Sequence, residues 1–219
     1  MKIGQNMDFH IKNGVSSGQA CERLLDAAEK LFSERGFGNT SVRDLTRAAG
    51  CNIAAVNYHF GGKDQLYRAM FQRHMSKVFD EQIEIINKVM SSKNPTLEVL
   101  LQGMIAKALE PLEQQNERVP MVKLIVRETL NPHMKEDVVE LEAFKEFIEL
   151  IKDALMRLVP GLSADNAVLC FYSLEGLILQ PLLFYDFYAE IMGAVPVKQL
   201  VEHSTRFAAT GIRAAADSE

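Results

Sequence analysis

Thr40-Ser-Val-Arg-Asp-Leu-Thr-Arg-Ala-Ala-Gly-Cys-Asn-Ile-Ala-Ala-Val-Asn-Tyr-His-Phe-Gly-Gly-Lys63 is the stretch around which the rest of the chain can be ordered. Val42, Leu45, Ala49 and Val56 are spaced to form one buried seam between two short helices. Thr40 or Ser41 can cap the first of these, and Gly50-Cys51-Asn52 makes the turn, with glycine tolerating the positive φ that ends a helix. The second helix, Ile53 to Phe60, is closed by Gly61-Gly62, and Lys63-Asp64 opens a long helix reaching about Met90. Ahead of them, Leu24, Ala27, Ala28, Leu31 and Phe32 recur at helical spacing from Gln19 until Gly36. Three short helices before one long one, with a tight turn between the second and third, is helix-turn-helix geometry.

That geometry assigns chemistry to particular positions. Ala54 and Ala55, being small, let the second helix of the pair approach base edges, and Ile53, Asn57, Tyr58 and His59 lie where such a helix meets bases and phosphates in a major groove. A carboxamide pairs with adenine through two hydrogen bonds, so Asn57 or Asn52 is expected to read a base. Asn52 suits a helix cap equally well. Thr40, Ser41 and Arg43 are placed for the DNA backbone. Tyr58 and His59 can bind phosphate or support the domain core. Lys63 stands at a helix N-terminus, where its charge and the open N–H groups favour a phosphate.

Residues 20–66 resemble the N-terminal domain of the tetracycline-repressor (TetR) family. The resemblance rests on Leu25-Asp-Ala-Ala-Glu-Lys-Leu-Phe-Ser-Glu-Arg-Gly-Phe37, Thr40-Ser-Val42, Ala49-Gly50, Tyr58-His-Phe60 and Lys63-Asp-Gln-Leu66. Asn57 stands where an aromatic residue is frequent in the family, and Asn52-Ile53-Ala54-Ala55 replaces a common start containing serine and glycine. Arg127-Glu-Thr-Leu-Asn-Pro132 is similar to the CecR-like subgroup. The resemblance implies an all-α protein: a helix-turn-helix DNA-binding domain over residues 19–65, then a helical ligand-binding and dimerisation domain over residues 66–219. It also implies a regulator, expected to be a repressor, that holds a palindromic double-stranded operator as a dimer and is released by a small-molecule inducer.

Composition is consistent with this reading without demanding it. With 47% hydrophobic and 24% charged residues the chain has a globular composition, and its net charge of −5 is segregated. Residues 1–75 hold 10 Lys and Arg against 7 Asp and Glu, and residues 76–219 hold 14 against 22, so a +3 segment precedes a −8 segment. Cys21, Cys51 and Cys170 are far apart, with no CxxC pair, so neither a disulfide framework nor a metal site is expected, and the setting is cytoplasmic. Residues 1–18, rich in glycine and serine, read as a flexible arm, with no signal peptide and no uninterrupted apolar run of membrane-spanning length.

Beyond residue 75 the pattern is helical but without a sharp motif. Helices are expected after Pro95, over Val119 to Leu130, Lys135 to Val159, Ser163 to about Tyr188 and Val197 to about Ala216. The 163–188 segment is apolar on more than one side, which one core-facing stripe does not require, and with 197–216 it is expected to form the homodimer interface. Polar or adaptable groups amid apolar helices suggest a ligand site among Met104, Met121, Leu124, Arg127, Glu128, His133, Phe144, Tyr172, Glu175 and Gln180. The long helix from Lys63 is the expected lever between ligand and DNA. No GxSxG, P-loop, HExxH or dinucleotide fingerprint occurs, so no catalytic residue and no cofactor is expected. A thiol sensor at Cys51 and a protein-binding adaptor are the competing readings.

Overall fold

The computed structural model describes residues 15–114, 118–130 and 141–216. Among them it is all-helical, without a strand: α1 (Val15–Arg35), α2 (Val42–Ala49), α3 (Ala54–Phe60), α4 (Lys63–Met90), α5 (Leu97–Gln114), α6 (Arg118–Leu130), α7 (Leu141–Leu158), α8 (Ala164–Met192) and α9 (Val197–Ala216). The arm expected over residues 1–18 lies outside the described residues as far as residue 14, but from Val15 the chain is already helical. The stretch 131–140, which holds His133, also lies outside them.

Local chemistry explains the ends of the helices that matter most. Ser41 caps α2 in a reciprocal box: the Asp44 N–H donates to Ser41 Oγ at 3.2 Å and the Ser41 N–H to Asp44 Oδ2 at 3.0 Å. Gly50 closes α2 at φ 61°, and Arg23 of α1 adds an Nε–H bond of 2.9 Å to the otherwise terminal Ala49 carbonyl.

Packing divides the chain into two units, one made of the described residues through Val78 with those from Pro120 to Leu141, the other of Phe79 to Val119 with Glu142 onward. The position expected for a break, between residues 65 and 66, lies inside the first of these units. Leu66, Tyr67, Met70 and Phe71 of α4 and Met121 and Leu124 of α6 are buried in the same cluster as Leu24, Phe32, Leu45, Val56 and Phe60. Three helices of 21, 8 and 7 residues bury too little apolar surface alone, and the first turns of α4 together with α6 complete their core. Tyr67 is its hub, with the rings of Phe32, Phe37 and Phe71 each 4.8 Å away at their centroids. The Glu128 carboxylate lies beside its phenol, and burial, followed by that carboxylate, raises the phenol's pKa.

The second unit packs α5 against α9 and α8, and α8 against α9. The Asn166 side chain at the start of α8 donates to the Ala215 carbonyl at the end of α9 at 2.9 Å, so the two helices run antiparallel. Phe79 of α4, Phe144 and Phe147 of α7 and Phe171 of α8 form one ring cluster. By length and composition α8 could cross a membrane, but Ala167, Cys170, Phe171, Leu174, Ile178 and Leu182 bury one side of it in this unit.

Candidate nucleic-acid interface

The turn and α3 present the predicted residues in two sets. Val56 and Phe60, one turn apart, point into the core, with Ala55 and His59 half-buried beside them. Ala54, Asn57 and Tyr58 lie on the opposite face with Ile53 just before them, and all four are exposed, Tyr58 to 64%. A seven-residue helix cannot bury both sides, and 3.6-residue periodicity puts positions 54, 57 and 58 outward once 56 and 60 are committed inward. The His59 ring meets those of Tyr58 at 5.0 Å and Phe60 at 6.3 Å, which joins the exposed face to the core.

Asn52 takes the capping role: its Oδ1 accepts the Ala55 N–H at 2.9 Å. Ser41, which caps α2, and Arg43 in its first turn are exposed. Arg47, one turn after Arg43, is a residue the sequence reading missed. Its side chain is 81% exposed and reaches Asp44 only at 4.0 Å, and its i, i+4 spacing from Arg43 was the available signal.

Two expected phosphate contacts are placed otherwise. Thr40 is only 1% exposed, and its hydroxyl donates to the Gly36 carbonyl at 2.9 Å, which makes it a brace for the α1–α2 connection. Lys63 donates from Nζ to the Phe37 carbonyl at 2.6 Å and lies 3.9 Å from the Phe37 ring centroid, so its ammonium is turned toward its own chain. Partial burial lowers its pKa. For Lys63, periodicity reports which face a residue occupies on its own helix, but not that a loop 26 residues earlier folds back against it.

Residues 24–70, within this geometry, match the family of bacterial regulatory proteins called the tetR family. The head of this chain is thus similar to the DNA-binding part of that family. Its relatives include the HTH-type transcriptional dual regulator CecR of Shigella flexneri, 31% identical over 124 residues that cover 54% of this chain and 55% of that one. The HTH-type transcriptional repressor KstR2 of Rhodococcus jostii is 35% identical over 85 residues, 39% of this chain and 41% of that one. The chain thus spans about half the length of the curated relatives it matches. Among solved structures, the fatty acid degradation regulator FadR of Bacillus halodurans has a TM-score of 0.61 at 17% identity, covering 90% of this chain and 96% of that one. FadR of Bacillus subtilis in complex with stearoyl-CoA has a TM-score of 0.62 at 16% identity, covering 87% and 98%. At these identities the two structures show a shared fold. The tetR family consists of DNA-binding regulators, not enzymes.

The expected ligand residues are scattered by the fold. Met121 and Leu124 sit in the core of the N-terminal unit, Glu128 is buried beside Tyr67, and Arg127 is exposed and approaches Gly36. A Cβ at Gly36, whose φ is 77°, would come within 3.2 Å of Arg127 Nη2. In the second unit Met104 is buried and Phe144 joins the ring cluster, but Tyr172 and Gln180 are exposed on α8 because Phe171, Leu174 and Ile178 take its inward face. Glu175 is half-buried, and burial raises its pKa. His133 lies outside the described residues. Cys51 is half-buried, its Sγ 3.4 Å from the Ala49 carbonyl oxygen.

Proposed function

We propose that this chain is a ligand-responsive transcriptional repressor that holds a palindromic operator as a dimer and lets go when a small molecule occupies its second unit. One observation carries the proposal: the exposed Ile53, Ala54, Asn57 and Tyr58 face of α3, held rigid by Val56 and Phe60 behind it. In a major groove Ala54 permits close approach, Asn57 offers a paired hydrogen bond to an adenine, and Ser41, Arg43, Tyr58 and His59 meet the flanking backbone. The relatives' printed roles support regulation: KstR2 is a repressor and CecR a dual regulator. The complex of Bacillus subtilis FadR with stearoyl-CoA supports a small-molecule effector.

Dimerisation is supported by the second apolar side of α8 and by α9, where Leu169, Tyr172, Phe184, Phe187 and Phe207 are exposed. A surface of that kind on a DNA-binding protein suits a twofold partner more readily than solvent. Two heads held this way would meet half-sites roughly 34 Å apart or a multiple of that. α4 starts in one unit and ends in the other, which suits it to carry ligand occupancy to the head. A hundredfold change in operator affinity needs only about 2.7 kcal/mol of coupling. The protein acts in the cytoplasm, where its DNA is.

Selection of bound sites from a random pool of duplexes tests the proposal. The expected result is an enriched inverted repeat whose affinity falls steeply with salt. Recovery of no preferred sequence at low salt would overturn it.

A further inference from the structure

Gln82 lies on α4 in the second unit and is buried, with 7% exposure. Its Nε2 donates to the Met104 carbonyl of α5 at 3.2 Å. The approach is close because α5 carries Gly103 there, where a Cβ would fall 2.9 Å from Ile85 Cγ2. A carbonyl accepts only from the NH2 end of a carboxamide, so this bond sets which way the amide faces. Its oxygen is buried and meets no donor among the described residues. One turn earlier on α4 stands Phe79, whose ring is 5.3 Å from Phe147 and 5.8 Å from Phe144, while Phe147 is 6.0 Å from Phe171. Phenyl rings cannot satisfy a buried carbonyl, and leaving one unmet costs stability that an apolar residue of the same size would not. Such a group is explained when its partner arrives from outside the chain.

We infer that Gln82 Oε1 is the hydrogen-bond acceptor of a small-molecule site beside the Phe79, Phe144, Phe147 and Phe171 rings, and that its ligand is a neutral molecule with a flat apolar body and one O–H or N–H donor. The inference rests on the regulator reading for the purpose of the site but not for its chemistry. A donor is required because the amide nitrogen is already used on Met104. A neutral ligand is favoured because an aromatic surround offers no compensation for a desolvated charge. Glu175, one turn beyond Phe171, is itself shifted toward its uncharged form by burial, in keeping with such a surround.

Two probes that differ in one hydrogen, 2-naphthol and its methyl ether 2-methoxynaphthalene, test this by calorimetric titration of the full chain. The wild type is expected to bind 2-naphthol about tenfold more tightly, the effect of one buried hydrogen bond, and Gln82→Leu is expected to erase the preference while still binding the ether. A preference that survives in Gln82→Leu, equal binding of both probes by the wild type, or binding of neither overturns the inference. Should Gln82→Leu fail to fold, a crystal of the wild type grown with 2-naphthol decides: the naphthol oxygen within hydrogen-bond distance of Gln82 Oε1 supports the site, and a water there with the probe absent or elsewhere overturns it. Affinity for the selected duplex is measured alongside. A wild type that binds DNA but shows no probe preference sinks this inference alone, whereas a probe preference without any DNA binding sinks only the regulator reading.

Discussion

Asn57 is the residue on which sequence preference should turn, because an exposed carboxamide on a groove-facing helix offers a donor and an acceptor in one plane. Asn57→Ala is expected to cost about 1–3 kcal/mol against the preferred operator and to relax discrimination at one base position in each half-site. Competition with operators altered position by position measures this, and an equal loss on every sequence would make Asn57 a backbone contact instead. Lys63 should behave in the contrary way. Its ammonium is bonded to the Phe37 carbonyl, so Lys63→Gln is expected to lower unfolding stability by about 1–2 kcal/mol and leave the salt dependence of DNA binding unchanged. A slope smaller by about one counterion would restore Lys63 to the phosphate contacts. Ser41→Ala removes the side-chain half of the α2 capping box and should cost about 1 kcal/mol in urea unfolding.

Between elements, α1 is tied to α4 by charge. Arg73 bonds Glu22 at 3.1 Å, Asp26 at 2.8 Å and Glu29 at 3.0 Å, while His74 Nδ1 lies 3.0 Å from the second oxygen of Glu29. Glu22 and Asp26 are exposed and contribute little. Glu29 is held more firmly: the hydrogen bond from His74, aided by the charges of His74 and Arg73 and opposed by burial, depresses its pKa to about 2. Because the folded value lies below the unfolded one, the carboxylate stabilises the head fully above about pH 4.5, and the contribution disappears as pH falls from there toward about 2. That contribution is no more than about 3 kcal/mol. Urea midpoints measured between pH 6 and pH 3 should therefore fall more steeply for the wild type than for Glu29→Gln, and parallel curves would remove Glu29 from the acid response.

At the scale of the whole molecule, the exposed side of α8 and α9 should decide whether two heads act together. Replacing Leu169 and Phe207, which are 61% and 63% exposed, with Asp is expected to yield monomers by sedimentation without unfolding them. Operator affinity should then fall on the order of a hundredfold or more, because each head must find its half-site unaided. A double variant that stays dimeric would place the interface elsewhere. The charge division, +3 up to residue 75 and −8 after it, belongs to this scale too, since on the proposed reading the more basic part is the one that would meet DNA.

The features legible without the fold are those set by short-range forces. Helix periodicity, the Gly50 turn, the Ser41 cap and the opening of α4 at Lys63 all depend on hydrogen bonds and side-chain phase within a few residues, and Val42, Leu45, Ala49 and Val56 announce their seam at that range. The inward and outward sides of α8 were not legible, since both are apolar and nothing local tells a core from a partner's surface. Nor was the enrolment of Met121 and Leu124 in the head, the turning of Lys63 onto Phe37, or the burial of Thr40. Those depend on which segments, many residues apart, reach each other first and bury the most area. Only the folded chain settles that competition, because it is decided by summed contacts over the whole core and not by any stretch of neighbours.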